Sequence, residues 1–594
     1  MIVGIDLGTT NSLVSAWTDE GVVLVPNEFG EYLTPSVVSF DGKDAIVGKI
    51  AKERLVTHPE VTACEFKRHM GRATTYKLGK GGFLSPVDLS AIVLKKLIAD
   101  AEKFFGQKVD SAIISVPAYF DDHQREATRL AGIKAGVKVT QLVNEPSAAA
   151  LSYHFENMEY DEKFIVFDFG GGTLDVTVVD AFANMVEICN ISGDNSLGGK
   201  DFNEAIALDI CDKFGFDWDK LDKKEKAILV NYGETIKIRL SEEDEVKTAI
   251  IFNGNSYEYE LSQQRFIDIS ASVFRRLTIV LKRLMNDSGL TPDDVDGVVM
   301  VGGSSKMPSV RAYMESLFPG KIMVDPKGDV AICRGVGIVT GISQREDGVK
   351  DIIMTDICPF SLGVGIVGDE MSVIIPKNQI LPASRKQRYH TVENMQKAIK
   401  FEIYQGEKLT ASSNLKLDTI EIPVPPKRRG EAYVDVRFSY DLNGIFDIDI
   451  YCPLNGVEVH RSRGASSGLV EGELDDIRLK MEELKQDPRE IPEIKFLIEK
   501  ALRLYEEGNP MQRDYLAKEL DAFNKFIDEA SVPDAKKAAM TFSLRLNRVE
   551  ESMFAFDVEQ GNLWKEFLEE NLEGKEFDKS SEYDDEEDND SERR

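Results

Sequence analysis

Val166-Phe167-Asp168-Phe169-Gly170-Gly171-Gly172-Thr173-Leu174-Asp175 decides the fold, because an earlier stretch repeats its plan. About 160 residues before it stands Ile5-Asp6-Leu7-Gly8-Thr9-Thr10-Asn11-Ser12. In each, an apolar strand carries an aspartate to its end and a tight turn of glycine and threonine follows. Glycine lets the backbone close on an anion with no Cβ in the way, and the threonine hydroxyls add donors. Either turn alone also reads as an ordinary glycine turn. Two of them, in duplicated halves that face each other, predict a polyphosphate clamped from both sides, with Asp6 and Asp168 flanking a magnesium ion. A third segment, Val298-Val299-Met300-Val301-Gly302-Gly303-Ser304-Ser305-Lys306-Met307-Pro308, opens a buried-strand run into a glycine pair and a helix start, where a nucleoside can lie against bare backbone. Gly193 to Lys200 is a near miss to the P-loop pattern. It carries an extra glycine before the lysine and Asp201 where Ser or Thr should hold magnesium, and is rejected as a P-loop.

The chain has 594 residues, which predicts about three to five domains. Its net charge is −31, from 72 basic and 103 acidic side chains, which disfavours nucleic acid and anionic membranes as partners. No apolar run reaches the roughly 18 to 20 residues of a membrane span, and Ile2 already enters a strand with no secretory pattern before it. Cys64, Cys189, Cys211, Cys333, Cys358 and Cys452 form no C-x-x-C pair, which argues for a reducing cytoplasm and against zinc or a disulfide framework. Eight of the eleven residues from Glu582 to Glu592 are acidic, the composition of a solvated disordered tail.

Residues 1–349 alternate apolar strands with amphipathic helices, the pattern of α/β layers. Strands are expected to end at Asp6, Pro117, Asp168 and Gly302, with helices over Leu89–Phe105, Asp122–Ala135, Phe202–Phe214 and Phe266–Ser288. Asp351-Ile352-Ile353-Met354-Thr355-Asp356, short and bracketed by acids, reads as an interdomain linker (350–356) that can dock. Period-2 alternation then begins. Ile399, Phe401 and Ile403 share one face, as do Val434, Val436 and Phe438, and Asn443-Gly444 forms a hairpin turn before Phe446, Ile448 and Ile450. Residues 357–468 therefore read as an antiparallel β-domain. From Leu469 the period becomes helical, with Leu474, Ile477, Met481 and Leu484 on one face and prolines at 488, 492, 510 and 533 between helices. Residues 469–571 are expected to be a helical bundle or lid, and 572–594 the acidic tail.

With these motifs in place, the chain resembles the seventy-kilodalton heat-shock chaperones of the DnaK type over nearly its full length. The two turns resemble that family's phosphate loops, and 298–308 resembles its adenosine loop. Further matches are Val116-Pro117-Ala118-Tyr119-Phe120, Gln124-Arg125, Asn144-Glu145-Pro146-Ser147-Ala148-Ala149-Ala150, Leu197-Gly198-Gly199-Lys200-Asp201-Phe202 and Gln405-Gly406-Glu407. The Thr355-Asp356-Ile357-Cys358-Pro359 junction and a shortened nucleotide domain are most similar to the HscC-like bacterial subgroup. The resemblance implies a multidomain fold: a two-lobed, actin-like α/β ATPase, then an antiparallel β-sandwich that binds extended apolar peptides, then an α-helical lid. It implies ATP and ADP with Mg2+, a J-domain co-chaperone, and an exchange factor whose identity stays open.

Carried over residue by residue, Asp6 and Asp168 hold magnesium through water. Gly8, Thr9, Thr10, Asn11 and Gly170, Gly171, Gly172, Thr173 receive the phosphates. Lys67, in Phe66-Lys67-Arg68, reaches the γ-phosphate, and Glu145, Asp175 and Thr173 serve the attacking water. Phosphoryl transfer needs positioning and charge neutralisation of this kind more than covalent help. Gly198, Gly199, Glu234, Lys237, Ser241, Gly302, Gly303, Ser304 and Lys306 complete the nucleotide site. Where the family stacks adenine between two arginines this chain has Ile238 and Lys306, which predicts weaker stacking. The peptide cleft maps onto Val364, Val367, Tyr389, Val392, Ile399 and Phe401, about half of which alternation alone would assign to the core. Pro117, Arg125 and Asp356 fall at interdomain positions. Gln141 replaces an arginine that helps engage J-domain partners, and the stretches between Arg72 and Ser85 and before Lys237 are short. A sugar kinase sharing both phosphate loops, or a filament protein, would leave some 240 C-terminal residues unexplained.

Overall fold

The computed structural model describes residues 1–463 apart from 43, 80–81, 157–160, 183, 325–327 and 443, and residues 488–554 apart from 530–531. The expected helical face of Leu474 to Leu484, the turn residue Asn443 and the acidic tail lie outside the described residues. The chain divides into two compact units, 1–381 with 386–471, and 382–385 with 472–594.

The first unit contains two mixed sheets built to one plan. In the first, Lys138–Asn144, Ser111–Val116, Ile2–Leu7, Asn11–Thr18 and Gly21–Leu24 lie side by side in that order. In the second the corresponding order is Ile322–Val324, Gly297–Val301, Glu162–Phe169, Leu174–Phe182 and Met185–Asp194. Each central strand pairs in parallel on one side and antiparallel on the other. In each case the glycine turn joins the central strand to its antiparallel partner, so Asp6 and Asp168 occupy equivalent places. The strands are apolar on both faces because helices cover the sheets.

Helices Glu145–Glu156 and Ala331–Gln344 cross between the two sheets, and one core runs through both: Ile113, Val143, Leu151, Val166, Val299 and Val336 are all buried together. Their close crossing needs glycine. A Cβ on Gly335 would overlap the backbone of Ala148. Helix Asp122–Ala135 has the expected bounds because Asp121 and Gln124 form a capping box and Gly136 ends it at φ 97. The helix expected over Phe266–Ser288 is two helices, Gln263–Ile269 and Ala271–Ser288. The break falls at Ser270, which is fully buried at φ −95, ψ 9.

Beyond the two mixed sheets, Ile353–Ile357, which overlaps the segment expected as a linker (350–356), forms a strand, parallel to Met185–Asp194 and antiparallel to Ile380–Leu381. It is the sixth strand of a seven-stranded sheet, with Ile380–Leu381 the seventh. Two four-stranded antiparallel sheets follow. One runs Glu370–Ile375, Leu362–Ile366, Ala398–Gln405, Leu415–Pro423; the other runs Ala383–His390, Tyr433–Tyr440, Phe446–Cys452, Val457–Arg463. Ile403, Ile420, Val434, Phe438 and Ile448 are buried, as period-2 alternation requires. In the second unit, helices Pro492–Glu507, Pro510–Glu529 and Val532–Phe554 bury Leu497, Leu504, Phe523, Phe542 and Leu546, with Phe523 and Phe542 stacked at 4.2 Å. Pro492 and Pro510 stand at first helical positions, where a missing N–H costs nothing.

Candidate functional site

A cavity of about 290 Å³ lies between the two glycine turns. Asp6, Gly8, Thr9, Thr10 and Asn11 line one side, and Asp168 and Gly170–Thr173 the other. Gly302, Gly303 and Lys306 close one end, and Glu145 reaches the same space. The turns approach so closely that a Cβ on Gly171 would overlap Thr10 and one on Gly172 would overlap Thr9. Gly302, at φ 83, has Phe169 O 2.6 Å from where a Cβ would sit, so glycine is required by both conformation and space. Thr10 Oγ1 is buried with no hydrogen-bond partner among the described residues. A bare backbone cradle with an unpaired hydroxyl suits an anion with several oxygens.

Charge is concentrated behind the cradle. Lys67, in the turn Phe66–His69, is buried and its Nζ lies 2.5 Å from Glu145 Oε1. Asp6 accepts a hydrogen bond from Ser115 Oγ at 2.8 Å. Burial, then repulsion from Glu145, pushes the Asp6 carboxyl up to about 7. Burial and the same neighbour push Asp175 up to about 8, although Lys67 and the backbone of Tyr119 and Ala118 oppose the shift. Asp168 is raised well above the ordinary carboxylate range by burial, then by Glu145, Asp175 and Asp6. Four carboxylates therefore share one buried ammonium, and a divalent cation beside Asp6 and Asp168 would offset two more of the negative charges. No group of three or more histidine, cysteine or carboxylate side chains among the described residues converges as direct metal ligands.

The remaining candidates are set around this centre. Gly198 and Gly199 sit behind the second turn. Gly199 N–H donates to Gly170 O and Lys200 N–H to Gly171 O, both at 3.0 Å, while Ser304 Oγ donates to Gly170 O at 2.8 Å. These residues hold the turn's shape. Lys237 Nζ donates to Gly199 O at 2.9 Å, and burial lowers this ammonium to about 8. Glu234 pairs with Lys52 at 3.0 Å, and Ser241 Oγ donates to Lys237 O at 3.3 Å. Ile238 is 56% exposed, and Lys306 forms an ion pair with Asp329. Asp329, Gly328, Leu33 and Ile332 also line the cavity, and no motif in the sequence signalled them. Arg68 binds Gly172 O through Nε at 3.0 Å, tying the two halves together beside Lys67.

Away from the cavity, Val364, Ile399 and Phe401 are buried. Tyr389 is half-buried, with its hydroxyl on Ser372 Oγ at 3.0 Å, and Val367 and Val392 are exposed. Of the residues expected at interdomain positions, Arg125 and Asp356 are joined through Asn144 in one hydrogen-bonded chain. Arg125 Nη2 donates to Asn144 Oδ1 at 2.5 Å, and Asn144 Nδ2 donates to Asp356 Oδ2 at 2.8 Å. Pro117 is buried just before this group. Further links between residues 1–349 and 357–463 are Gln405 Oε1 accepting from Asp122 N–H at 3.0 Å, Arg463 with Asp122 at 2.8 Å, and Lys377 with Asp287 at 2.6 Å.

No helix among the described residues is long and apolar enough to cross a membrane. The family model described as Hsp70 protein matches residues 2–539. A curated relative, the chaperone protein DnaK of Deinococcus proteolyticus, is 35% identical over 480 residues, covering 75% of this chain and 76% of the relative. The match runs through the paired glycine turns, the docked strand and both antiparallel sheets, and the chain belongs to the Hsp70 family of ATP-dependent molecular chaperones.

Proposed function

We propose that the cavity between the two turns binds ATP and ADP with magnesium, and that hydrolysis there drives capture and release of extended apolar peptides by the antiparallel sheets. The observation that supports this most directly is the pair of glycine turns facing each other across one cavity, with the four carboxylates and Lys67 behind them. Gly8 to Asn11 and Gly170 to Thr173 bind the phosphates, and Asp6 and Asp168 hold the magnesium ion through water. The ion supplies charge neutralisation at the phosphoryl group. Lys67 stabilises the charge that develops on the transferred group, while Glu145, Asp175 and Thr173 orient the attacking water. Gly302, Gly303, Ser304, Lys306, Glu234, Lys237 and Ser241 serve the nucleoside, with Gly198 and Gly199 bracing the second phosphate turn. The Lys306–Asp329 pair draws the ammonium toward the wall, in keeping with weak adenine stacking.

In this reading residues 1–349 form the actin-like two-lobed ATPase and 350–356 the linker. Residues 357–468 form the β-sandwich with a cleft at Val364, Val367, Tyr389, Val392, Ile399 and Phe401. Residues 469–571 form the lid and 572–594 the tail. Pro117, Arg125 and Asp356 transmit the nucleotide state. Unfolded or extended apolar segments are the clients, a J-domain protein the co-chaperone, and the cytoplasm the compartment. The test is a fluorescent apolar peptide followed by anisotropy with ATP and with ADP. ADP should hold the peptide, and ATP should speed its release by at least tenfold; equal release in both states would reject the coupling.

A further inference from the structure

Residues 357–463 carry 14 lysines and arginines against 13 acids, in a chain whose net charge is −31. Four of these cations, with two of the acids, stand on one edge. Loops 391–397 and 424–431 are stitched together by backbone. Met395 N–H donates to Lys427 O at 2.7 Å, and Val424 N–H to Lys397 O and Gly430 N–H to Thr391 O, both at 2.9 Å. Arg429 N–H also donates to Asn394 Oδ1 at 2.9 Å. On the joined edge Val392 and Met395 are 45% and 64% exposed, and Met395 is held at φ 59. Lys397, Lys427, Arg428 and Arg429 surround them, all exposed and in no ion pair among the described residues. The acids of these two loops are Glu393, which is exposed, and Glu431, whose carboxylate turns back to accept Arg428 N–H at 3.3 Å.

We propose that this basic rim selects client segments in which the apolar stretch is flanked by acidic residues. The inference rests on reading Val392 as part of the peptide cleft. The apolar contact supplies affinity for any extended segment. The four cations add attraction for an anionic flank that the acidic remainder of the chain does not offer. Exposed charge pairs contribute little singly and are screened by salt, so the preference is modest and ionic-strength dependent.

The full chain is titrated, in ADP, with three fluorescent peptides that share one seven-residue leucine-rich core and carry Asp-Glu, Ser-Gly or Lys-Arg flanks. At low salt the acid-flanked peptide binds about 3- to 10-fold more tightly than the base-flanked one, and the difference closes near 1 M salt. The variant Lys427→Glu, Arg428→Glu, Arg429→Glu reverses the order and leaves the neutral-flanked peptide within about twofold. Its side chains are exposed, and circular dichroism checks that it folds. If the neutral peptide binds but flank charge has no effect, the rim is not a selector and the cleft stands. If no peptide binds in any nucleotide state, the cleft reading fails and the selectivity with it.

Discussion

Lys67 is buried to 3% exposure beside a 5% exposed Glu145, inside a group that also contains Asp6, Asp168 and Asp175. Sequence alone gives a lysine in Phe66-Lys67-Arg68, which elsewhere would be a solvated surface group. Lys67→Ala removes the one ammonium these carboxylates share and leaves Glu145 buried without it. Breaking a buried pair in this way costs about 3–5 kcal/mol, so the variant should melt at a lower temperature. Nucleotide binding, carried mainly by turn backbone, should persist. Hydrolysis should fall by on the order of 10²-fold or more, as expected for one preorganised charge at a phosphoryl centre. Single-turnover hydrolysis near the wild-type rate in a variant that still binds nucleotide would remove Lys67 from the catalytic set.

At the scale of the element, strand Ile353–Ile357 docks by only a few residues of backbone pairing, three of them with Met185–Glu187. Its hold depends on Asp356, which is 8% exposed and whose Oδ1 accepts from Ile357 N–H at 2.8 Å. Asp356 Oδ2 accepts from Asn144 and, at 3.1 Å, from Ser147. Arg125 fixes the orientation of Asn144, because its donor occupies Asn144 Oδ1 and leaves the amide NH2 facing Asp356. Asp356→Asn must therefore point an amide at one N–H donor or another, and a buried donor left unpaired costs about 1–3 kcal/mol. Backbone amides of residues 353–357 should exchange about 5- to 100-fold faster with solvent deuterium in this variant. Unchanged exchange would mean that backbone pairing alone holds the strand.

For the whole molecule, the carboxylate cluster makes stability depend on pH and on the bound cation. Asp6 titrates near 7 and Asp175 near 8 in the fold, against 3.8 for an ordinary aspartate. These pKa values are raised, so the protonated carboxyls favour the folded state. Their contribution is complete below about pH 4 and is lost as pH rises through about 7 to 8. In EDTA the ATPase unfolding transition should thus shift to lower temperature between pH 5 and 8, and Asp175→Asn should flatten that slope. Mg2+ with ADP should flatten it too, since the cation favours the ionised carboxylates, and should raise the transition more at pH 8 than at pH 5. Calorimetry showing a wild-type slope in Asp175→Asn would place the pH dependence elsewhere, for instance in general repulsion within an acidic chain.

Local chemistry made much of this legible in the sequence. The strand–aspartate–glycine turns, the helix Asp122–Ala135 and the alternation from Ile399 onward all depend on residues within a few positions of one another, so their sequence pattern carries them. Their placement against distant partners did not show. The Lys306–Asp329 pair joins residues 23 positions apart, and the exposure of Val367 and Val392 beside the buried Val364 and Phe401 is set across the fold. The same holds for the carboxylate cluster. Asp6, Glu145, Asp168 and Asp175 are separated by up to about 170 residues, and each is an ordinary acid until the repeated sheets bring them around Lys67. The sequence by itself determined which side chains and which bare turns were available. Tertiary structure decided which of them share one water-poor space, because desolvation and charge repulsion act only between groups that packing has placed together.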